Sequence, residues 1–114
     1  MNNNRFEDLV VWQKAKSLTL TVYKKFKECK DFAFRDQIQK ASVSIMNNIA
    51  EGFERKSDKE FKYFLFIAKG SSGEVHSMLY LAKELNYVSQ TEFKDSFDCT
   101  EEISRMIAGL IKKL

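Results

Sequence analysis

Ser57-Asp58-Lys59-Glu60-Phe61-Lys62-Tyr63-Phe64-Leu65-Phe66-Ile67-Ala68-Lys69-Gly70-Ser71-Ser72-Gly73-Glu74-Val75-His76-Ser77-Met78-Leu79-Tyr80-Leu81-Ala82 decides the fold. Its first four residues have the form of a capping box, in which the Ser hydroxyl accepts from the third helical N–H and Glu60 bonds back to the cap. Behind the box, Phe61, Phe64, Leu65, Ala68, Ser72, Val75, Leu79 and Ala82 recur at steps of three and four. That spacing puts them on one face of a helix. The pattern runs to Asn86, a residue that tolerates the left-handed backbone of a helix C-terminus.

The same signals continue outward on both sides. Ser89-Gln90-Thr91-Glu92 is a second capping box, and it opens a helix with Phe93, Phe97, Ile103, Ile107, Leu110, Ile111 and Leu114 on its apolar face. Upstream, Phe34, Ile38, Ala41, Ile45 and Ile49 lead toward Gly52. Further upstream, Val11, Ala15, Leu18, Val22, Phe26 and Cys29 form another stripe, broken by Lys30-Asp31. Four helices are therefore expected, at about 7–29, 34–54, 58–85 and 90–113, in one domain over 1–114. Connections of a few residues force neighbouring helices to be antiparallel, so the expected fold is an all-α, up-down-up-down four-helix bundle. Helices of about 22 to 28 residues make a rod roughly 35 to 40 Å long.

Composition agrees with that architecture. The 114 residues are 44% hydrophobic and 31% charged, far from the regime of disordered chains. Pro is absent and Gly occurs four times, so the two strongest helix breakers are nearly missing. The start, Met1-Asn2-Asn3-Asn4-Arg5-Phe6, lacks the apolar core of a secretory signal. No later apolar run approaches the ~20 residues needed to span a bilayer. The expected location is the cytoplasm, with no membrane partner.

Chemistry is hard to place on this chain. Cys29 and Cys99 belong to no CxxC or Cys/His ligand spacing, and both read as small buried hydrophobes that form no disulfide with each other. Carboxylate-bridged di-metal bundles need a Glu-x-x-His pair from each of two helices, and His76 is the single histidine. Glu74 and His76, two apart on a helix, point in different directions. Glu51 and Glu54 read as a solvated helix end, while Asn47 and Asn48 in mid-helix read as buried amides that need partners or set register. No catalytic residue, metal site or cofactor is expected.

Two features exceed what a lone bundle needs. Helix 3 carries a second apolar stripe, Tyr63, Phe66, Ile67, Gly70, Ser77 and Leu81, opposite its core face, and helix 1 repeats this with Leu9, Trp12, Leu20 and Tyr23. A homo-oligomer built through these outer faces is inferred. The small residues Ala68 to Gly73 mark a close approach, either a tight helix crossing within the bundle or a subunit or ligand contact.

Charge is also uneven. Residues 5 to 30 hold seven Lys/Arg against three acids, a local balance of +4 out of a net +3 for the chain. On helix 3, Lys62, Lys69, His76 and Lys83 follow at steps of seven, with Phe66, Tyr80 and Tyr87 beside the line. Lysines along a rod can neutralise phosphates, and interleaved aromatics offer stacking surfaces for unpaired bases. Lys14, Lys25, Lys62, Lys69, His76 and Lys83 are the candidate nucleic-acid contacts. The alternative is a solvated stripe whose lysine stems cover apolar surface.

Several segments resemble the four-helix-bundle proteins encoded in intervening sequences of bacterial 23S ribosomal RNA genes. They are Phe6-Glu7-Asp8-Leu9 with Val11-Trp12-Gln13-Lys14-Ala15, Gln37-Ile38 through Ala41, Ile49-Ala50-Glu51-Gly52, Arg55, Ser57, Lys59-Glu60-Phe61, Phe64-Leu65 and Gly70-Ser71. The resemblance implies a left-handed up-down bundle assembled as a homopentameric ring, with no established enzymatic activity. The chain is also similar to the accessory variability proteins of diversity-generating retroelements, which are basic pentamers that bind nucleic acid and a reverse transcriptase. It departs from the family at Gln39-Lys40, where two arginines are common, at Met46-Asn47 in place of Pro-Ser, and at Asn86 in place of Gly. Two functions follow as expectations: a non-enzymatic oligomer that binds RNA or a nucleic-acid-processing protein, or a scaffold that recruits another protein through its outer apolar faces.

Overall fold

The computed structural model describes residues 4–114, so Met1, Asn2 and Asn3, the first half of the stretch read for a secretory signal, lie outside the described residues. A short 3-10 turn at Phe6–Asp8 precedes four helices, α1 (Val10–Phe26), α2 (Phe32–Phe53), α3 (Asp58–Glu84) and α4 (Gln90–Lys113). No strand occurs among the described residues. The rod measures 42 × 22 × 19 Å.

The helix ends follow local hydrogen bonding. At α3 the Glu60 N–H donates to Ser57 Oγ at 3.2 Å, but the Glu60 carboxylate accepts from the Ser57 hydroxyl at 3.1 Å instead of from the cap N–H. The expected box is thus half made. At α4 both halves form, with Glu92 N–H on Ser89 Oγ at 3.1 Å and Ser89 N–H on Glu92 Oε1 at 2.8 Å. α3 stops in a Schellman arrangement: Tyr87 N–H reaches Ala82 O, Asn86 N–H reaches Lys83 O, and Asn86 takes φ 61°.

Helix 1 is shorter than its apolar stripe predicts. Leu9 is extended, and its N–H bonds back to Phe6 O at 3.0 Å, so the helix begins at Val10 instead of residue 7. It ends at Phe26, three residues before Cys29. Asp31 is a helix cap as well as a pattern breaker: its Oδ1 accepts from Phe34 N–H, which lets α2 start at Phe32. Asp31 Oδ2 also accepts from the Tyr87 hydroxyl at 2.7 Å, tying the start of α2 to the α3–α4 turn. α2 runs uninterrupted through Met46 and Asn47. Asn47 is exposed, and Asn48 donates to Ser44 O one turn back at 2.8 Å, so neither amide needs the distant partners expected of it.

Cross-helix contacts give the register. Phe26 meets Phe34 and Thr19 meets Ser42 between α1 and α2; Gln37 meets Glu74 and Ser44 meets Ser71 between α2 and α3. Ser72 meets Ser104 and His76 meets Thr100 between α3 and α4, while Lys14 and Lys25 reach Glu102 and Glu92 of α4. In each set the residue number falls on one helix as it rises on the other. Each helix packs on two others, and α1 and α3 lie diagonally across the core.

Leu18, Ile38, Ile45, Ile49, Leu65, Leu79, Ile103 and Ile107 fill that core and are essentially inaccessible. Thr19, Ser42, Ser72 and Thr100 are buried among them, and each hydroxyl finds a carbonyl or hydroxyl partner, which offsets its loss of water.

The close approach expected at Gly70 and Gly73 does not occur within the chain, because a Cβ at either position would meet open space. Both glycines face outward, and the buried small residues there are Ala68 and Ser72. The tight crossing is at Gly52, where a Cβ would lie 2.8 Å from Phe64 Cβ and 3.2 Å from the Phe61 carbonyl oxygen. Gly52→Ala should therefore destabilise the fold by about 1 to 3 kcal/mol through overpacking. Gly70→Ala should stabilise the helix by about 0.5 to 1 kcal/mol. Urea unfolding at one protein concentration checks both signs.

Candidate nucleic-acid interface

α3 presents its basic line along the seam with α4. Lys62, Lys69 and Lys83 form no ion pair among the described residues, and Lys69 is exposed while Lys62 and Lys83 are half-buried. The stem of Lys83 carries its ammonium over the Phe93 ring at 4.7 Å, a cation–π contact. Tyr80, 52% exposed, stands edge-on to Phe97 and tilted against Phe93. The seam thus offers one open aromatic face among uncompensated cations.

His76 belongs to the packing of that seam more than to its charge. Its ring lies 4.0 Å from the Phe97 ring, and Nδ1 is 2.6 Å from Thr100 Oγ1. The single hydroxyl proton of Thr100 goes to Phe97 O at 2.8 Å, so the hydroxyl accepts from His76 and the hydrogen-bond network assigns the imidazole proton to Nδ1. His76 is therefore a half-buried, oriented ring and not a free member of the basic line. Glu74, two residues earlier, points the other way and accepts from Gln37 on α2.

Lys14 and Lys25 do not join this surface. Lys14 Nζ lies 2.9 Å from Glu102 Oε1 and Lys25 Nζ lies 3.0 Å from Glu92 Oε1, so both clamp α1 to α4. Hydrogen bonding to Glu102 raises the Lys14 ammonium above the usual lysine value. The Ser89 backbone N–H, then Lys25, hold the Glu92 carboxyl below the usual carboxylate range. α4 stands between these two lysines and the α3 line, and it carries Glu92, Asp95, Asp98, Glu101 and Glu102 between its start and its middle. Periodicity within one helix could not reveal this pairing, which depends on which helix lies opposite. The cations in and just after α1 left without carboxylate partners include Lys24 and Lys27, which no periodic line singles out; they line a cleft against α2 with Tyr23, Arg35 and Gln39.

The outer apolar residues divide in the same way. Tyr63, Phe66, Ile67 and Leu81 are exposed along α3, and Leu20 and Tyr23 along α1. Leu9 is instead buried at 8% exposure, and Trp12 is half-buried, edge-on to Phe6 at 5.1 Å with Lys16 over its ring. The physical reason is that Leu9 precedes the helix, so helical periodicity does not set its direction, and the 3-10 turn folds Phe6 onto Trp12. Neither residue is free to serve as the outer surface expected of it.

Among the described residues no three His, Cys, Asp or Glu side chains gather as metal ligands, and no helix is long and apolar enough to cross a membrane. Cys29 and Cys99 are free and half-buried, and burial pushes the Cys99 thiol up, away from a reactive thiolate.

Because the Glu92 carboxyl is depressed in the folded state, its contribution to stability is present above the ordinary glutamate value of about 4.3 and is lost as pH falls through the lower folded value. Glu92→Gln should lower the melting temperature at pH 7, and the gap to the unsubstituted protein should narrow by pH 3. Thermal unfolding at the two pH values reads this directly.

A family model described as 23S rRNA-intervening sequence protein matches residues 7–109. A crystal structure of a protein of unknown function from the S23 ribosomal protein family of Bacteroides thetaiotaomicron superposes with a TM-score of 0.85 at 26% identity, covering 90% of this chain and 99% of that one. No curated protein matches the chain in sequence. The family model spans nearly the whole four-helix chain, and the chain belongs to the 23S rRNA-intervening sequence protein family.

Proposed function

We propose that this protein is a non-enzymatic, cytoplasmic homo-oligomer of antiparallel up-down-up-down bundles that binds RNA, or a ribonucleoprotein, through basic helix surfaces. The observation that carries the RNA reading is the α3–α4 seam, where Lys62, Lys69 and Lys83 lack carboxylate partners and Tyr80 leaves a ring open between them. Phosphates neutralise such lysines with release of counterions, and an unpaired base stacks on such a ring. The family description and the S23 ribosomal protein family of the Bacteroides structure favour ribosomal RNA as the class of ligand.

Support for assembly comes from α3 and α1. Tyr63, Phe66, Ile67 and Leu81 form an exposed stripe whose middle, at Gly70 and Gly73, is flat enough for another backbone. Leu20 is exposed on the diagonal helix, whereas Tyr23 turns to the cleft between α1 and α2, so Leu20 and the α3 stripe face opposite sides of the bundle. Two different surfaces meeting head to tail close a ring when the rotation permits, and the family resemblance implies a ring of about five copies. The same α3 stripe supports a second reading, a scaffold that recruits another protein in place of its own copies.

Light scattering coupled to size exclusion, with and without fragmented RNA, tests both. The expected result is a ring whose mass increases with RNA at low salt and returns at high salt. Phe66→Asp with Ile67→Asp should release monomers. Lys62→Glu with Lys69→Glu should weaken RNA binding and lower the salt slope by about one per lysine. A monomer indifferent to RNA would overturn the proposal and favour the scaffold.

A further inference from the structure

We infer that the cleft between α1 and α2, lined by Tyr23, Lys24, Lys27, Arg35 and Gln39, is a second binding site that takes a phosphodiester of single-stranded RNA. The inference rests on the RNA reading above and adds a surface on the other side of the bundle from the α3–α4 seam.

The cleft is a shallow depression of about 390 Å³, broadly open to solvent. Lys24 in the last turn of α1 and Lys27, the residue that caps the end of that helix, reach it from one wall, and Arg35 and Gln39, four apart on α2, from the other. None of the five lining residues is acidic. Lys24 and Lys27 have no carboxylate partner among the described residues, so their charge is uncompensated. Asp36 takes Nε and Nη2 of Arg35, each at 2.9 Å, and leaves Nη1 as a further donor. The Arg35 guanidinium also rests 4.8 Å over the Phe32 ring, which holds it at the cleft wall.

Other clefts on the molecule differ in character. Two against α4 carry Glu92 with Asp95 beside Lys25, or Asp95, Asp98 and Glu102 beside Arg105, and a third, near the end of α4, is apolar apart from Lys113. The α1–α2 cleft therefore pairs a local excess of positive charge with amide and phenol groups that can hydrogen-bond a phosphate or a base edge. Tyr23 is 44% exposed and presents an aromatic surface at the cleft, the arrangement that lets a splayed base stack while its phosphate meets the lysines. A single strand can fold its backbone into a gap between two helices. A duplex holds its bases stacked inside and offers none to Tyr23.

The probe is a fluorescein-labelled, single-stranded dodecauridylate titrated with the full-length protein at several salt concentrations, beside a duplex of equal length. Anisotropy gives affinity and salt slope, and light scattering gives the oligomeric state. Lys24→Glu with Lys27→Glu should weaken single-strand binding roughly tenfold or more and lower the salt slope by about 1.4, at 0.7 for each phosphate no longer neutralised. Gln39→Lys should tighten it, and Tyr23→Ala should weaken it with an unchanged slope. These side chains lie outside the core, and circular dichroism verifies that each variant keeps its helices.

If the unsubstituted protein binds the strand and the double variant binds it equally well, the cleft assignment is wrong while the RNA reading stands. If the double variant loses its oligomeric state yet still binds RNA, the cleft is a protein contact and the assignment is again overturned. If the unsubstituted protein binds no single strand at any salt, the RNA reading and this inference fall together.

Discussion

At Gly52 the missing side chain lets α2 and α3 approach until Phe61 and Phe64 close over its Cα. This contact lies beside the turn joining the two helices, within the most extensive helix pair of the molecule. With that end closed, Ser44 meets Ser71 and Gln37 meets Glu74 further along, and the pair holds one register over its length. The rotation of α3 then follows. Its core stripe faces inward, its lysines turn to the α4 side, and its second apolar stripe is left without a partner in the chain.

The buried hydroxyls make the same packing specific. A core of Leu and Ile alone tolerates sliding, because apolar contacts have no direction. Thr19, Ser42, Ser72 and Thr100 sit in the middle of the bundle with partners at hydrogen-bond distance on their own or neighbouring helices. A shifted register would leave Ser72 without water and without partners and would cost Thr19 its bond to α2, whereas Ser42 and Thr100 keep the carbonyls of their own helices. His76 extends this polar layer to the surface, since its orientation depends on Thr100, which is itself bonded within α4.

Electrostatics divides the surface by helix instead of by sequence segment. The basic first helix loses two of its cations to α4, where Glu92 lies in the first turn and is favoured by the helix dipole, while Glu102 lies well beyond that turn and is held by Lys14 alone. Among the cations that remain, Lys62, Lys69 and Lys83 lie along the seam of α3 with α4 and Lys24 and Lys27 at the cleft of α1 with α2, with the acidic part of α4 along another edge. Outer apolar residues of α1 and α3 lie between these regions.

Much of this was legible from residue order alone. The all-α class, the four helices, the caps at Ser57 and Ser89, the stop at Asn86 and the inward stripes of Ile, Leu, Val and Ala are local properties, set by hydrogen bonding within a few residues and by a period of 3.6. The start of α1 was not legible, because apolar spacing does not separate a residue just before a helix from one inside it: Leu9 is extended and turns inward, and the 3-10 turn lays Phe6 against Trp12. Nor were the roles of Gly52 and Gly70, or of Lys25 and Lys24. Each pair holds the same residue type, and what separates the members is the element that lies opposite: Phe61 and Phe64 against open space, Glu92 against a cleft. Periodicity states which way a side chain leaves its own helix, but only the tertiary packing decides what it meets there, because that depends on residues tens of positions away along the chain.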